Sequence, residues 1–253
     1  LLFFHKQYFD NYWFETGTPT FLVETIRKEY VNPKELEYVE VDNYFFNSFS
    51  LEHLDIIGLL YQTGYLTIKE AVFTIAGSKY VLGYPNIEVR HSMIYNLVQA
   101  YTYKTKSIVS QAMVRMKRAM EEGKVDLFIQ QIKIILSDIS YHLHPQKQTE
   151  EASFKMWEGY FQTIIYLVTS YMDMTVQSEV TKHKGRLDLI AESEGFIYLM
   201  EFKLDEKATN AMEQIKNRKY AAAYKDATKT VFLVGVNFSK EERNVEDWEW
   251  EVF

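Results

Sequence analysis

Apolar residues recur every three or four positions through most of the first half of the chain, and the period shortens towards simple alternation in the second half. Thr16-Gly17-Thr18-Pro19 followed by Phe21, Leu22, Val23, Ile26 and Tyr30 predicts a helix over 16–30, stopped by Asn32-Pro33. Leu54, Ile57 and Leu60 predict a second helix over 51–62, closed by Thr63-Gly64 in the manner of a glycine C-cap. Stretches 65–68, 71–75 and 78–83, rich in Tyr, Val, Ile and Phe, predict short strands broken at Gly77 and ended by Pro85-Asn86. A helix followed by a small sheet suggests a winged-helix-like unit, for which packing is a plainer role than DNA contact. From Glu88 to about His142 the pattern is helical throughout, with Met113, Met116, Met120, then Phe128, Ile132, Ile135 and Ile139 as a core stripe and Gly123 separating two helices.

The polar, proline-led run 145–150 is the best boundary in the chain. Beyond it the pattern predicts a helix at 154–172, strands at 175–180, 186–191 and 196–202, a helix at 206–224, and a buried strand at 230–236. Trp248, Trp250 and Val252 alternate with acids, as on a half-exposed edge strand. The whole reads as α/β or α+β: a mostly helical N-terminal region with a small winged-helix-like unit, then a mixed sheet flanked by helices. Divided this way, the chain has an N-terminal region 1–95, a helical linker region 96–149 and a C-terminal domain 150–253.

At 253 residues, 47% hydrophobic and 25% charged, the chain can bury a real core, which excludes wholesale disorder. It has no cysteine, so disulfides, thiolate zinc sites and cysteine nucleophiles are ruled out together; a reducing, cytoplasmic setting suits it. No run of about 18 apolar residues predicts a membrane span. The chain lacks an initiator Met and starts inside an aromatic-rich stretch, which suggests a fragment of a longer polypeptide. Net charge of −7 argues against a surface that is phosphate-binding throughout, but leaves room for a local basic groove at Lys182, Lys184, Arg186 or Lys216, Arg218, Lys219. His142-x-His144-Pro145 is too sparse a pattern to carry a metal site.

Within 196–203 the side chains alternate, so Ile197, Leu199, Glu201 and Lys203 share one face of the strand. The preceding strand offers Asp188 just after Gly185-Arg186, so two acids and a lysine could converge. Metal-assisted phosphodiester hydrolysis needs such a set: hard oxygen ligands for Mg²⁺ or Mn²⁺ from Asp188 and Glu201, and a cation, Lys203, beside the nucleophile. The bland alternative is that these side chains merely decorate strand ends in water.

The ordered set Gly185-Arg186-Leu187-Asp188, Glu201-Phe202-Lys203, Gln214-Ile215 through Tyr220, and Val234-Gly235-Val236-Asn237-Phe238 resembles the PD-(D/E)xK nuclease superfamily over roughly 150–253. Specifically it resembles the nuclease-like domain, formerly of unknown function, fused to AAA-ATPase-like modules in many bacterial proteins. The resemblance implies a restriction-endonuclease-like αβββαβ core and divalent-metal cleavage of DNA or RNA. It also implies catalytic roles for Asp188, Glu201, Lys203 and Gln214, and a third acidic ligand from the preceding helix. Glu158 sits where that acid would be, with Glu179 as the competitor. Arg218, one turn after Gln214, could reach phosphate, and Arg186 and Lys219 join it as candidate nucleic-acid contacts. Tyr220 lies six residues after Gln214, which is not a facing interval, so packing is expected of it; Ala208, Ala211, Met212, Ile215 and Ala222 would be the buried stripe.

Residues 12–19, 59–68 and 84–90 look like the tail of the AAA-ATPase-like region in such fusions, which makes an upstream ATPase region an implied partner. No GxxxxGK[ST] occurs, so this chain is expected to hydrolyse no ATP by itself. Two other classes stand beside the nuclease: a catalytically silent nuclease fold that binds nucleic acid or protein and regulates the ATPase, and a winged-helix DNA-binding regulator at 51–90, which lacks a basic recognition helix.

Overall fold

A computed structural model describes residues 19–28, 31–47, 55–74, 77–137, 150–172, 174–182 and 185–253. The chain divides into two compact units after Tyr101. The predicted mixed fold is what the structure shows: helices and a small sheet in the first unit, helices around a larger mixed sheet in the second.

In the first unit α1 (Pro19–Lys28) starts with proline in its first turn, where the missing N–H costs nothing, and buries Leu22, Val23 and Ile26. α2 (Ile56–Gln62) is capped by Asp55, whose carboxylate accepts the Ile57 N–H, and buries Ile56 and Leu60. The strands β1 (Val39–Asp42), β2 (Thr67–Thr74) and β3 (Gly77–Gly83) form an antiparallel sheet in the order β1-β3-β2. The stretches 65–68 and 71–75 are therefore not separate strands. Thr67–Thr74 is continuous, with the register shifting between Ile68 and Glu70, and a bulge of this kind interrupts the alternation that a sequence pattern relies on. β1 has no counterpart in the sequence reading; its Val39 pairs with Leu82, far along the chain. α3 (Ile87–Thr102) completes this unit and buries Met93, Ile94 and Leu97.

In the second unit α4 (Lys106–Glu121) and α5 (Val125–Leu136) form a hairpin around Gly123, whose φ of 70° suits glycine and whose missing Cβ leaves room for the Phe196 ring. Met113, Met116, Met120, Phe128, Ile132 and Ile135 are buried as the periodicity requires. The helical run from Glu88 is broken once more than expected, at residues 103–105, where Tyr103 takes a left-handed φ of 55° without any glycine or proline to announce it. The boundary run 145–149, Ile139 and the His142/His144 pair lie outside the described residues.

α6 (Glu150–Tyr171) precedes a sheet of β4 (Thr175–Lys182), β5 (Gly185–Glu192), β6 (Phe196–Leu204), β7 (Thr230–Ser239) and β8 (Asn244–Val252) in that order. β6 and β7 are parallel and the other pairs antiparallel. The parallel pair requires a crossover, and α7 (Ala208–Asn217) supplies it. α7 covers one face of the sheet, burying Met212 and Ile215 against Ile197, Leu199, Val231 and Leu233. On the opposite face Phe161 of α6 stacks on Phe238 at 4.5 Å, and the Tyr198 hydroxyl donates to the Met120 carbonyl of α4. β8 is one of the two edge strands of this order, its Trp248 and Trp250 both donating to Asp126 of α5.

The helix expected over 206–224 ends at Asn217. Lys219 turns with a left-handed φ of 54° into a separate 3-10 turn, Tyr220–Tyr224, and this change of phase leaves Ala222 exposed instead of in the buried stripe. Among the described residues no helix is long and apolar enough to cross a membrane.

Candidate active site

The site sits where β5 and β6 part. Their ladder ends at the pair Leu189 and Met200, while β6 stays hydrogen-bonded to β7 as far as Leu204. The next rung would place Asp188 opposite Glu201, so two carboxylates face each other across the fork on the same side of the sheet. The fork leaves the Phe202 N–H without a strand partner, and Asp188 Oδ2 accepts it at 2.8 Å. Asp188 thereby bridges the two strands where their ladder has ended.

The face shared by Glu201 and Lys203 is the one α7 covers, and the helix reaches them through Gln214. Its amide nitrogen donates to Glu201 Oε1, and its carbonyl oxygen accepts from Lys203 Nζ at 2.7 Å. One neutral side chain therefore bridges the acid and the lysine, whose own separation is 4.0 Å. The closeness depends on Gly235, the β7 residue in register with Glu201. A Cβ there would meet the Ala208 carbonyl oxygen at 2.7 Å and Ala211 Cβ and Met212 Cγ at 3.0 Å. Only glycine lets α7 lie this near the sheet.

The start of α7 is fixed with equal care. Buried Asn237 accepts the Glu206 N–H at 3.0 Å and donates to the Glu206 carbonyl at 3.1 Å, and Asp247 of β8 accepts the Ala208 N–H at 2.8 Å. A carboxylate at a helix N-terminus satisfies an otherwise orphaned donor and complements the helix dipole.

Glu201 is 3% exposed, and its second oxygen, Oε2, is buried with no hydrogen-bond partner. Burial first, and then the Asp188 carboxylate, push its pKa from 4.5 up to about 8, against the opposing pull of Lys203, the Asp188 backbone and Arg218. A buried carboxylate with an unpaired oxygen beside a second acid is expensive to leave charged. A divalent cation with hard oxygen preference would relieve it, so the donor set of Asp188 and Glu201 fits Mg²⁺ or Mn²⁺.

The other expected residues are placed as follows. Glu158 lies half-buried on α6, one turn before Phe161, on the helix that packs against the face opposite Glu201. Among the described residues no group of three or more His, Cys, Asp or Glu side chains is arranged to hold a metal ion. The side chains of Glu179, on β4, and Arg186, on β5, lie outside the described residues. Arg218 and Lys219 are exposed at the end of α7.

Tyr220 is packed in the core of the second unit, as expected of it. Burial first, and then the Glu201 carboxylate, push the pKa of its hydroxyl up.

Comparison with known proteins bears on this site directly. The chain is 31% identical over 250 residues to an uncharacterized protein encoded in the 5′ region of vnfD in Azotobacter chroococcum mcd 1, an alignment covering 97% of this chain. The chain spans about half of that relative's length, 47%. No solved structure gives a match. Residues 156–248 match the model of the PD-(D/E)XK nuclease superfamily, a group that typically uses a divalent metal and acts on nucleic acid, and that segment contains Glu158, Asp188, Glu201, Lys203 and Gln214.

Proposed function

We propose that this chain carries a metal-dependent nuclease that hydrolyses phosphodiester bonds of DNA or RNA. The observation that carries the reading is the buried, unpartnered Glu201 Oε2 beside Asp188, with Lys203 tethered to the same cluster by Gln214. Asp188 and Glu201 would hold Mg²⁺ or Mn²⁺, with Glu158, or Glu179 in its place, as a further oxygen ligand. The cation would supply charge neutralisation at the scissile phosphate and a water of lowered pKa.

The chain's own residues do the rest. Gln214 occupies Glu201 Oε1 and so leaves Oε2 as the carboxylate oxygen without a protein partner. Lys203 gives one donor to Gln214 and lies 4.0 Å from Glu201, where its other N–H bonds can orient a water or stabilise a phosphate oxygen as negative charge builds on it. The apolar wall of Leu199, Ile215 and Tyr220 limits water behind the site, which strengthens each of these interactions. Arg186, Arg218 and Lys219 would meet the phosphate backbone. The part of the relative that this chain does not span would, in this reading, include the ATPase-like region that controls access.

The test is metal-dependent stabilisation coupled to cutting. Mg²⁺ or Mn²⁺ should raise the melting temperature of the wild type and not of Asp188→Ala, while Lys203→Ala should bind the metal and cut no oligonucleotide. An equal thermal shift in wild type and Asp188→Ala would overturn the reading.

A further inference from the structure

Soon after Lys203 the chain turns and runs back over the sheet as α7. Asp205 takes a left-handed φ of 52°, donates its N–H to the Phe238 carbonyl at 2.8 Å and accepts the Lys240 N–H at 2.8 Å. At the next residue Asn237 grips both backbone polar groups of Glu206, its Oδ1 accepting the N–H at 3.0 Å and its Nδ2 donating to the carbonyl at 3.1 Å. The same Nδ2 donates to Glu246 of β8 at 3.0 Å, and Asp247 beside it accepts the Ala208 N–H at 2.8 Å. Asn237 is 0% exposed and lies in register with Lys203 on the neighbouring strand, as Gly235 does with Glu201. The residue that pins the start of α7 thus stands beside the lysine to which the helix delivers Gln214.

Apolar packing alone does not set where Gln214 arrives. Met212 and Ile215 dictate which side of α7 faces the sheet, but burial is non-directional and tolerates sliding or tilting of the helix. Gln214 lies about 9 Å along the helix axis from Ala208, at about 1.5 Å per residue. A tilt of about 6° at the start would move it by about 1 Å, enough to stretch its 2.7 Å bond with Lys203 past hydrogen-bond length. Hydrogen bonds fix distance and direction, so a buried amide holding both polar groups of Glu206 leaves the helix start one position. We propose that Asn237 is a positioning residue of the site: it fixes the start of α7 and so holds Gln214 where it bridges Glu201 and Lys203. This rests on the nuclease reading and adds to it a residue that acts through Gln214 and not on the substrate.

The experiment compares the wild type with Asn237→Ser, Gln214→Ala, the Asn237→Ser/Gln214→Ala double variant, Asp247→Ala and Asp247→Asn. Ile132→Ala, in the α4–α5 hairpin, is the control for loss of stability alone. Two readouts are taken well below each melting temperature: Mg²⁺-dependent cleavage of an oligonucleotide that the wild type cuts, and the Gln214 side-chain amide resonance in isotope-labelled protein, assigned by its loss in Gln214→Ala. In Asn237→Ser that resonance should move towards the position of an exposed glutamine, and in Ile132→Ala it should stay. Asn237→Ser should lower kcat by about 10-fold, with KM for the oligonucleotide within about two-fold of the wild type. The double variant should be no slower than Gln214→Ala, because the two residues act in one chain. Asp247→Ala should lower kcat several-fold, and Asp247→Asn, which keeps an acceptor for the Ala208 N–H, should restore it.

An unmoved Gln214 resonance in folded Asn237→Ser, losses that multiply in the double variant, or an equal loss of kcat in Ile132→Ala would overturn the inference while leaving the nuclease intact. If Asn237→Ser does not fold, the Asp247 pair decides, and equal kcat in Asp247→Ala and Asp247→Asn would overturn it. A wild type that cuts no nucleic acid would bring down the nuclease reading, and the amide resonance would then decide by itself whether Asn237 positions Gln214.

Discussion

Replacing Glu201 by glutamine tests the electrostatics of the cleft without any substrate. The folded protein holds the Glu201 proton up to about pH 8, whereas the unfolded chain releases it near 4.5. The pKa is raised on folding, so the group's stabilising contribution is fully present below 4.5 and is lost as pH climbs towards 8. Linkage gives a loss of about 3 kcal/mol from this group between pH 5 and pH 8. Glu201→Gln keeps the shape and an oxygen for Gln214 but has nothing to ionise. In metal-free buffer with a chelator, urea unfolding at several pH values should show the variant gaining on the wild type by about 3 kcal/mol over that interval. Titrating groups that do not interact with Glu201 cancel in the comparison. Mg²⁺ should stabilise the wild type at pH 8 and leave the variant where it was. Parallel pH profiles for the two proteins in chelator would refute the argument, since they would mean that Glu201 is no harder to ionise in the fold than in water.

Three further outcomes follow from the same contacts. Gly235→Ala should destabilise by about 1–3 kcal/mol, measured by urea unfolding, because α7 must move off the sheet to admit the methyl group. Gln214→Ala should leave metal binding within a few-fold by Mn²⁺ titration while slowing cleavage by about 10–100-fold, the usual effect of removing a supporting contact around a metal site. Asp188→Asn should keep the hydrogen bond to the Phe202 N–H and most of the stability, while Asp188→Ala should lose about 1 kcal/mol more in unfolding experiments; both should lose the thermal response to Mg²⁺.

Much of the second unit is legible in the sequence because its signals are local. Ile197, Leu199, Glu201 and Lys203 alternate along one strand, and strand geometry alone puts them on one face. The edge strand announces itself through Trp248 and Trp250 set between acids. What stays hidden depends on partners distant in sequence. Nothing near Gly235 says that a helix carbonyl will lie 2.7 Å from its absent Cβ, and nothing near Asp247 says that it will cap α7. The pairing of Asp188 with Glu201 follows from where a ladder stops, which the sequence does not mark. The helix expected as far as residue 224 stops at Asn217 because Lys219 takes left-handed backbone, for which lysine has no preference. β1 and the break at Tyr103 were hidden for the same reason: packing overrides weak local propensity.

The central claim is that the Asp188–Glu201 pair, with Lys203, cuts nucleic acid by means of a divalent cation. The most direct measurement is incubation of wild type and Glu201→Gln with end-labelled single-stranded, double-stranded and branched DNA and with RNA, in Mg²⁺, in Mn²⁺ and in chelator. The account expects cleavage of at least one substrate by the wild type with metal, none in chelator and none by the variant. Cleavage by Glu201→Gln at the wild-type rate, or wild-type cleavage that persists in chelator, would contradict it.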